Sequence, residues 1–129
     1  MAIPFIPIRI TSPLSREKTG KYYARVKTRG EIDLREFADK IADISTLSVP
    51  DTVAVLEALV QQIPEMLLDG YRVKLGDLGV FTTSFKSDGA ETSEDCKKGL
   101  IRRTDLLFKP SKYLKKKMRA AEFERVRKS

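Results

Sequence analysis

The chain has 129 residues, is 41% hydrophobic and 33% charged, and carries a formal net charge of +7 with one cysteine and no histidine. That balance is too apolar for a disordered chain, offers no run near the ~18 apolar residues that span a bilayer, and excludes an internal disulfide. It fits one domain with its own core and little to spare. The N-terminal run Met1-Ala-Ile-Pro-Phe-Ile-Pro-Ile8 is apolar but has no basic leader and two prolines, so it does not read as an export signal. A lone thiol without such a signal points to the reducing cytosol.

Residues 1–31 read as an added pair of strands. Tyr22 to Thr28 alternates and is rich in β-formers, Ile6 to Ile10 is a weaker strand, and a loop from Ser12 to Gly20 joins them. Leu34, Phe37, Ala38, Ile41, Ala42 and Ile44 then repeat at helical spacing, with Asp33 as the expected N-cap. Ser48 caps a second helix whose first turn holds Pro50 and Asp51 and whose end is marked by Asp69-Gly70. One stripe of that helix is Val53, Leu56, Val60, Ile63 and Leu67; another is Val55, Leu59 and Met66. A short partner helix can cover only one of them. A second subunit is the simplest cover for the other, and the extra N-terminal strands are the alternative. Pro64 removes a hydrogen bond near the helix end, at ~3 kcal/mol that packing must offset.

Alternation resumes at Tyr71, Val73 and Leu75, continues after a glycine turn at Phe81, Thr83 and Phe85, and places Thr82, Ser84 and Lys86 on the opposite face. On the returning strand, Leu106 and Phe108 face the core, which turns Arg103, Asp105 and Leu107 outward and favours Arg103 over Arg102 unless a bulge shifts register. The last helix begins near Ser111, with Pro110 at its first turn, and Tyr113, Leu114 and Met118 as anchors. Residues 119–129 extend it, with Phe123 and Val126 as further anchors, or form a basic tail.

Charge is distributed unevenly. Residues 109–129 hold 9 Lys/Arg against 2 Asp/Glu, Arg9 to Arg29 hold 7 against 1, residues 30–85 hold 4 against 10, and residues 86–108 are neutral at 5 against 5. Two basic ends around an acidic middle are the kind of surface that meets a polyanion, DNA or RNA. A solvated helix end gives the same pattern through the helix dipole. Enzyme chemistry has little to stand on. Without histidine the commonest general base is missing, Cys96 lacks a partner base, and Gly76-Asp-Leu-Gly79 has neither the lysine nor the hydroxyl of a phosphate loop. Asp88, Glu91, Glu94 and Asp95 lack the alternating oxygen spacing of a calcium loop. No enzyme activity, metal or cofactor is expected.

Leu75-Gly-Asp-Leu-Gly-Val-Phe81 followed by Leu107-Phe-Lys-Pro-Ser-Lys-Tyr-Leu-Lys115 resembles the HU and integration host factor family of DNA-binding proteins. Leu78 stands where that family has a phenylalanine, Phe81, Phe108, Lys109, Pro110 and Lys112 match, and Ser111 replaces a glycine. The resemblance implies an α+β, IHF-like DNA-binding fold: two N-terminal helices, a β-hairpin with an arm, and a short C-terminal helix. It divides the chain into an N-terminal β extension (1–31), an HU-like domain (32–118) and a basic C-terminal tail (119–129). It also implies a homodimer that sits on double-stranded DNA, contacting phosphates and the minor groove without base reading. Its DNA-binding residues are expected at Lys86, Arg103, Lys109, Lys112, Lys115 and Lys116. Ser84 takes the first of two basic strand positions. The arm, Ser87 to Cys96, lacks the basic, proline-tipped sequence of the family, which implies a reduced ability to kink DNA. The chain is expected in the cytoplasm, on the nucleoid, away from membranes. The alternative is an HU-fold interaction protein with weak or lost DNA binding, using its extension or arm to hold a protein partner.

Overall fold

A computed structural model describes residues 1–10 and 20–127. The expected loop of residues 12–20 lies, up to residue 19, outside the described residues. The chain divides into two compact units: residues 34–116, and a terminal unit made of residues 1–33 with 117–129.

The terminal unit is built on a three-stranded sheet. Its strands are β1 (Ile3–Ile10), β2 (Lys21–Val26) and β6 (Phe123–Arg125), in the order β2-β1-β6. β1 and β2 are antiparallel with Phe5 opposite Val26 and Ile10 opposite Lys21, whereas β6 lies parallel to β1 with Ile3 opposite Phe123. β1 is longer than its sequence suggests, because its two prolines fall at the ends of the ladders, Pro4 beside Lys27 just past β2 and Pro7 past the last pair with β6. The Pro4 carbonyl accepts the Lys27 N–H at 2.8 Å, so even-numbered residues of β1 bond towards β2 and odd-numbered ones towards β6. Pro7 therefore lacks its donor on the β6 side, where pairing already stops at Phe5 and Arg125. The expected helical continuation through residues 119–129 is corrected here. Helix α3 (Lys112–Arg119) ends, and Phe123–Arg125 is a strand held by Ile3 N–H to the Glu122 carbonyl at 2.8 Å and Val126 N–H to the Phe5 carbonyl at 3.0 Å.

The second unit pairs helices with a sheet. α1 (Leu34–Asp43) packs on α2 (Val49–Leu68), and β3 (Val73–Leu75), β4 (Gly79–Ser87) and β5 (Ile101–Pro110) form an antiparallel sheet in the order β3-β4-β5. α1 buries Ala38 completely but stops before Ile44, which stays exposed instead of joining the apolar stripe. Ser48 caps α2 by accepting the Asp51 N–H at 3.2 Å, and its carbonyl takes both the Thr52 N–H and the Thr52 hydroxyl. That pair of bonds is what lets Thr52 lie 2% exposed without an orphaned hydroxyl. α2 runs on past Pro64 and closes at Gly70, whose φ of 96° suits glycine.

Gly79 is fixed by contact as much as by conformation. Its φ is 149°, and a Cβ there would lie 2.3 Å from the Lys109 carbonyl oxygen and 2.8 Å from the Phe108 ring. The close approach lets Phe81 and Phe108 pack with ring centroids 4.8 Å apart. Pro110 is the second correction. It ends β5 opposite Gly79 and is not part of the helix, which a residue without an N–H can do at an outer strand. The helix start falls to Ser111, whose hydroxyl donates to the Asp77 carbonyl and accepts the Leu114 N–H at 3.1 Å. Serine in place of the glycine thus caps α3 and ties it to the β3–β4 turn.

This unit buries little. Ala38, Thr52 and Leu67, at 0%, 2% and 5% exposed, are its buried side chains. Phe85 and Leu106 on the apolar sheet face stand 60% and 61% exposed. An open groove of about 350 Å³ runs between α2 and that face, lined by Ile63, Pro64, Leu67, Phe81, Thr83 and Leu106 among others.

Candidate nucleic-acid interface

Strand register decides which side chains share a surface. Phe81 lies opposite Phe108, Thr83 opposite Leu106 and Phe85 opposite Thr104, so these form one face of the β3-β4-β5 sheet. The other face carries Val80 opposite Lys109, Thr82 opposite Leu107, Ser84 opposite Asp105, and Lys86 opposite Arg103. β3 adds Lys74, which sits opposite Val80. The face therefore bears two basic crossings, Lys74 with Lys109 and Lys86 with Arg103. They lie six residue steps apart along β4, from Val80 to Lys86, ~20 Å at ~3.3 Å per residue.

Lys86 and Arg103 are like charges directly opposed, an arrangement that costs stability in a bare sheet. Asp105 offsets part of it by accepting from Arg103 Nε at 3.1 Å, with both side chains open to solvent. A bound anion would offset the rest. The register slips between Lys86 and Ser87, where Ser87 pairs with Ile101 and Arg102 becomes the extra residue. Arg102 is turned into an ion pair with Asp88, its Nε donating to Oδ2 at 2.6 Å. The bulge thus sorts the two arginines: Arg103 stays on the basic face, and Arg102 closes the base of the arm.

The arm residues 88–97 form bends and turns before a short 3-10 turn at Lys98–Leu100. Asp88 N–H bonds the Leu100 carbonyl at 2.9 Å, Asp95 N–H the Thr92 hydroxyl at 3.2 Å, and Cys96 is exposed. Among the described residues no three carboxylate or thiol groups converge on a point that could hold a metal ion, and no helix is long and apolar enough to cross a membrane.

On α3, Lys112, Lys115 and Lys116 are all exposed and lie at i, i+3 and i+4, hence on one side of the helix. Of the residues singled out from sequence, the structure brings together Lys86, Arg103 and Lys109 on one sheet face, and Lys112, Lys115 and Lys116 on one helix face. Lys74 joins the sheet-face group and is not among the residues the sequence singles out. Its signal was present, since Tyr71, Val73 and Leu75 on the apolar face force Lys74 to the other.

The sequence matches the HU-HIG family, described as an HU domain fused to a wHTH, Ig or glycine-rich motif, over residues 1–125. No curated protein matches the chain. Among solved structures, a candidate bacterial DNA-binding protein from Bacteroides vulgatus superposes with a TM-score of 0.65 at 11% identity, over 97% of this chain and 48% of that one. The chain thus spans about half the length of that protein. Anabaena HU, crystallised with DNA, superposes with a TM-score of 0.54 at 18% identity, over 68% of this chain and 98% of that one. At these identities the structures establish a shared fold, an α+β architecture of three helices and two small sheets like that of HU. With the match running over nearly its whole length, the chain belongs to the HU-HIG family.

Proposed function

We propose that this chain is a non-catalytic, nucleoid-associated DNA-binding protein that holds duplex DNA as a homodimer, through phosphates and the minor groove and without base-specific reading. The observation that carries the reading is the sheet face with Lys74, Lys86, Arg103 and Lys109 exposed on an HU domain, with the α3 lysines in the same unit. Lysines supply charge without the rigid fork that reads base edges, which favours affinity over sequence preference. Anabaena HU, which shares the fold, was crystallised with DNA, and that supports DNA as the partner here. Dimerisation is supported by the small buried core and by the groove beside α2, which a second copy would cover. A cytoplasmic location on the nucleoid goes with that role.

A salt titration of binding to a duplex of mixed sequence tests this. Four phosphate contacts per subunit, from Lys109, Lys112, Lys115 and Lys116, contribute a slope of log affinity on log salt near −7 for a dimer, at ~0.9 per contact. A slope shallower than about −2, or no binding at 50 mM salt, would defeat the reading. A second reading, an HU-fold interaction protein with lost DNA binding, draws on one observation: residues 34–116 hold 13 Lys/Arg against 13 Asp/Glu. Salt-independent recovery of the chain with a protein and not with DNA would favour it.

A further inference from the structure

The net charge of the chain resides outside its HU core. The terminal unit, residues 1–33 with 117–129, holds 12 Lys/Arg against 5 Asp/Glu, which accounts for the whole formal charge of +7. We propose that the β2 edge of the terminal sheet is a second duplex-DNA contact, in which Lys21, Arg25 and Lys27 bind backbone phosphates. The proposal rests on the DNA-binding reading above and extends it to a unit that reading does not use.

The placement follows from the pairing. Ile10, Ile8 and Ile6 lie opposite Lys21, Tyr23 and Arg25, so these six residues share a face, and Lys27 continues it with its N–H bonded to Pro4. The isoleucine row gives the long basic side chains an apolar floor for their stems while their charged ends stay in water. Alternate residues of a strand are ~6.6 Å apart, which spans about two base-pair rises of ~3.4 Å. A row of Lys, Tyr, Arg and Lys at that spacing can follow one phosphate backbone. None of Lys21, Arg25 and Lys27 forms an ion pair among the described residues, and all three are exposed. The acidic residue nearest in register, Glu124 opposite Pro4, is already engaged by Arg29 at 3.8 Å.

The edge itself adds donors. Because Lys27 N–H points towards β1, the N–H groups of Tyr22, Ala24 and Val26 point away from it, and β2 is the outer strand of its sheet. Outward N–H groups alternating with cations suit phosphate oxygens. The competing explanation is that lysines on an outer strand only block edge-to-edge pairing. The charge concentrated in this unit, against a core with none to spare, favours the anion.

The test uses the full chain carrying Lys21→Gln, Arg25→Gln and Lys27→Gln together, beside a charge-reversed Lys21→Glu, Arg25→Glu, Lys27→Glu form. Binding to a 30-base-pair duplex and to one of its strands is followed by anisotropy from 50 to 300 mM salt, with circular dichroism as the folding check. Removing three contacts should make the duplex slope shallower by about 2.7 per chain, at ~0.9 per contact, in both forms. The neutral form keeps the result readable if reversal disturbs folding. A duplex slope unchanged in the neutral form overturns the edge contact while leaving the core reading intact. Failure of the unaltered chain to bind the duplex overturns both. A larger loss on the single strand than on the duplex overturns the assignment to duplex phosphates in favour of base stacking on Tyr22 and Tyr23.

Discussion

The core unit, residues 34–116, and the terminal unit use opposite resources. The core has built geometry: a capped helix pair, a close glycine contact at Gly79, and a sheet face whose register collects four cations. Its charges nevertheless cancel, and Asp105 pairs with Arg103 on its basic face while Asp88 draws Arg102 to the base of the arm. The terminal unit has a small sheet and the entire net charge. The contrast teaches that total charge does not locate an interface. A neutral unit can carry an organised cationic face, and a strongly basic one can have its cations spread along both ends of the chain. Position, set by strand register, decides what a phosphate meets.

The largest break in this comparison is at Gly79. Gly79→Ala forces a Cβ onto the Lys109 carbonyl at a φ that side chains rarely adopt. The expected cost is ~3 kcal/mol or more from strain and displacement, read by urea denaturation. DNA binding by the core should fall with it. Gly76→Ala is the control in the same turn, with φ of 49° and nothing within 4 Å of a Cβ; it should cost only ~1 kcal/mol. Equal effects of the two would mean that contact with β5 does not position the basic face.

How much of this was legible beforehand depends on the range of each signal. The alternation at Phe81, Thr83 and Phe85 and the cap at Ser48 are local, and both are found where the sequence puts them. The outward position of Arg103 follows from parity with Phe108. Arg102 does not, because its fate depends on a bulge and on Asp88, fourteen residues away. Phe123–Arg125 looks like a helix continuation because its partner is β1, at the far end of the sequence, and no local pattern encodes a pairing that distant. Pro110 suits a first helical turn equally well on local grounds; it instead closes β5, and the helix follows Ser111 as the sequence places it.

A smaller effect is expected at the apolar face of the core. Leu106→Glu puts a carboxylate into the groove beside α2, on a side chain now 61% exposed. If a second copy covers that groove, association should weaken at least tenfold, about 1.4 kcal/mol. Light scattering at micromolar concentration should then report a monomer where the unaltered chain gives a dimer. A monomer in both cases would leave the groove to another occupant and remove the homodimer from the reading.

Smaller again is the change expected on α3. Lys112→Glu with Lys115→Glu removes two exposed cations per subunit from one helix face. The salt slope should become shallower by about 3.6 for a dimer, at ~0.9 per contact, on every duplex sequence tried. A change confined to one sequence would point to base reading. An unchanged slope would make these lysines a solvated face.

The smallest effect is predicted for the arm, and there the expected result is close to no change. A wedge that kinks DNA must offer a rigid apolar tip to offset an unstacking cost of a few kcal/mol. The arm offers Ala90 and Thr92 among Asp88, Glu91, Glu94 and Asp95, and it has no proline. Asp88 is drawn to Arg102 at the arm's base, so that cation holds the turn, and the arm is left with Lys97 and Lys98 after its acidic stretch. The remaining carboxylates would meet phosphate repulsion. Deleting residues 88–96 should therefore leave the bend of a ~30-base-pair duplex, a length that resists smooth bending, nearly unaltered when measured by energy transfer between its ends. Affinity should hold or rise slightly as negative charge is lost. A sharp bend in the complex of the unaltered chain, abolished by this deletion, would show that the arm does wedge, and would return the terminal unit to a supporting role.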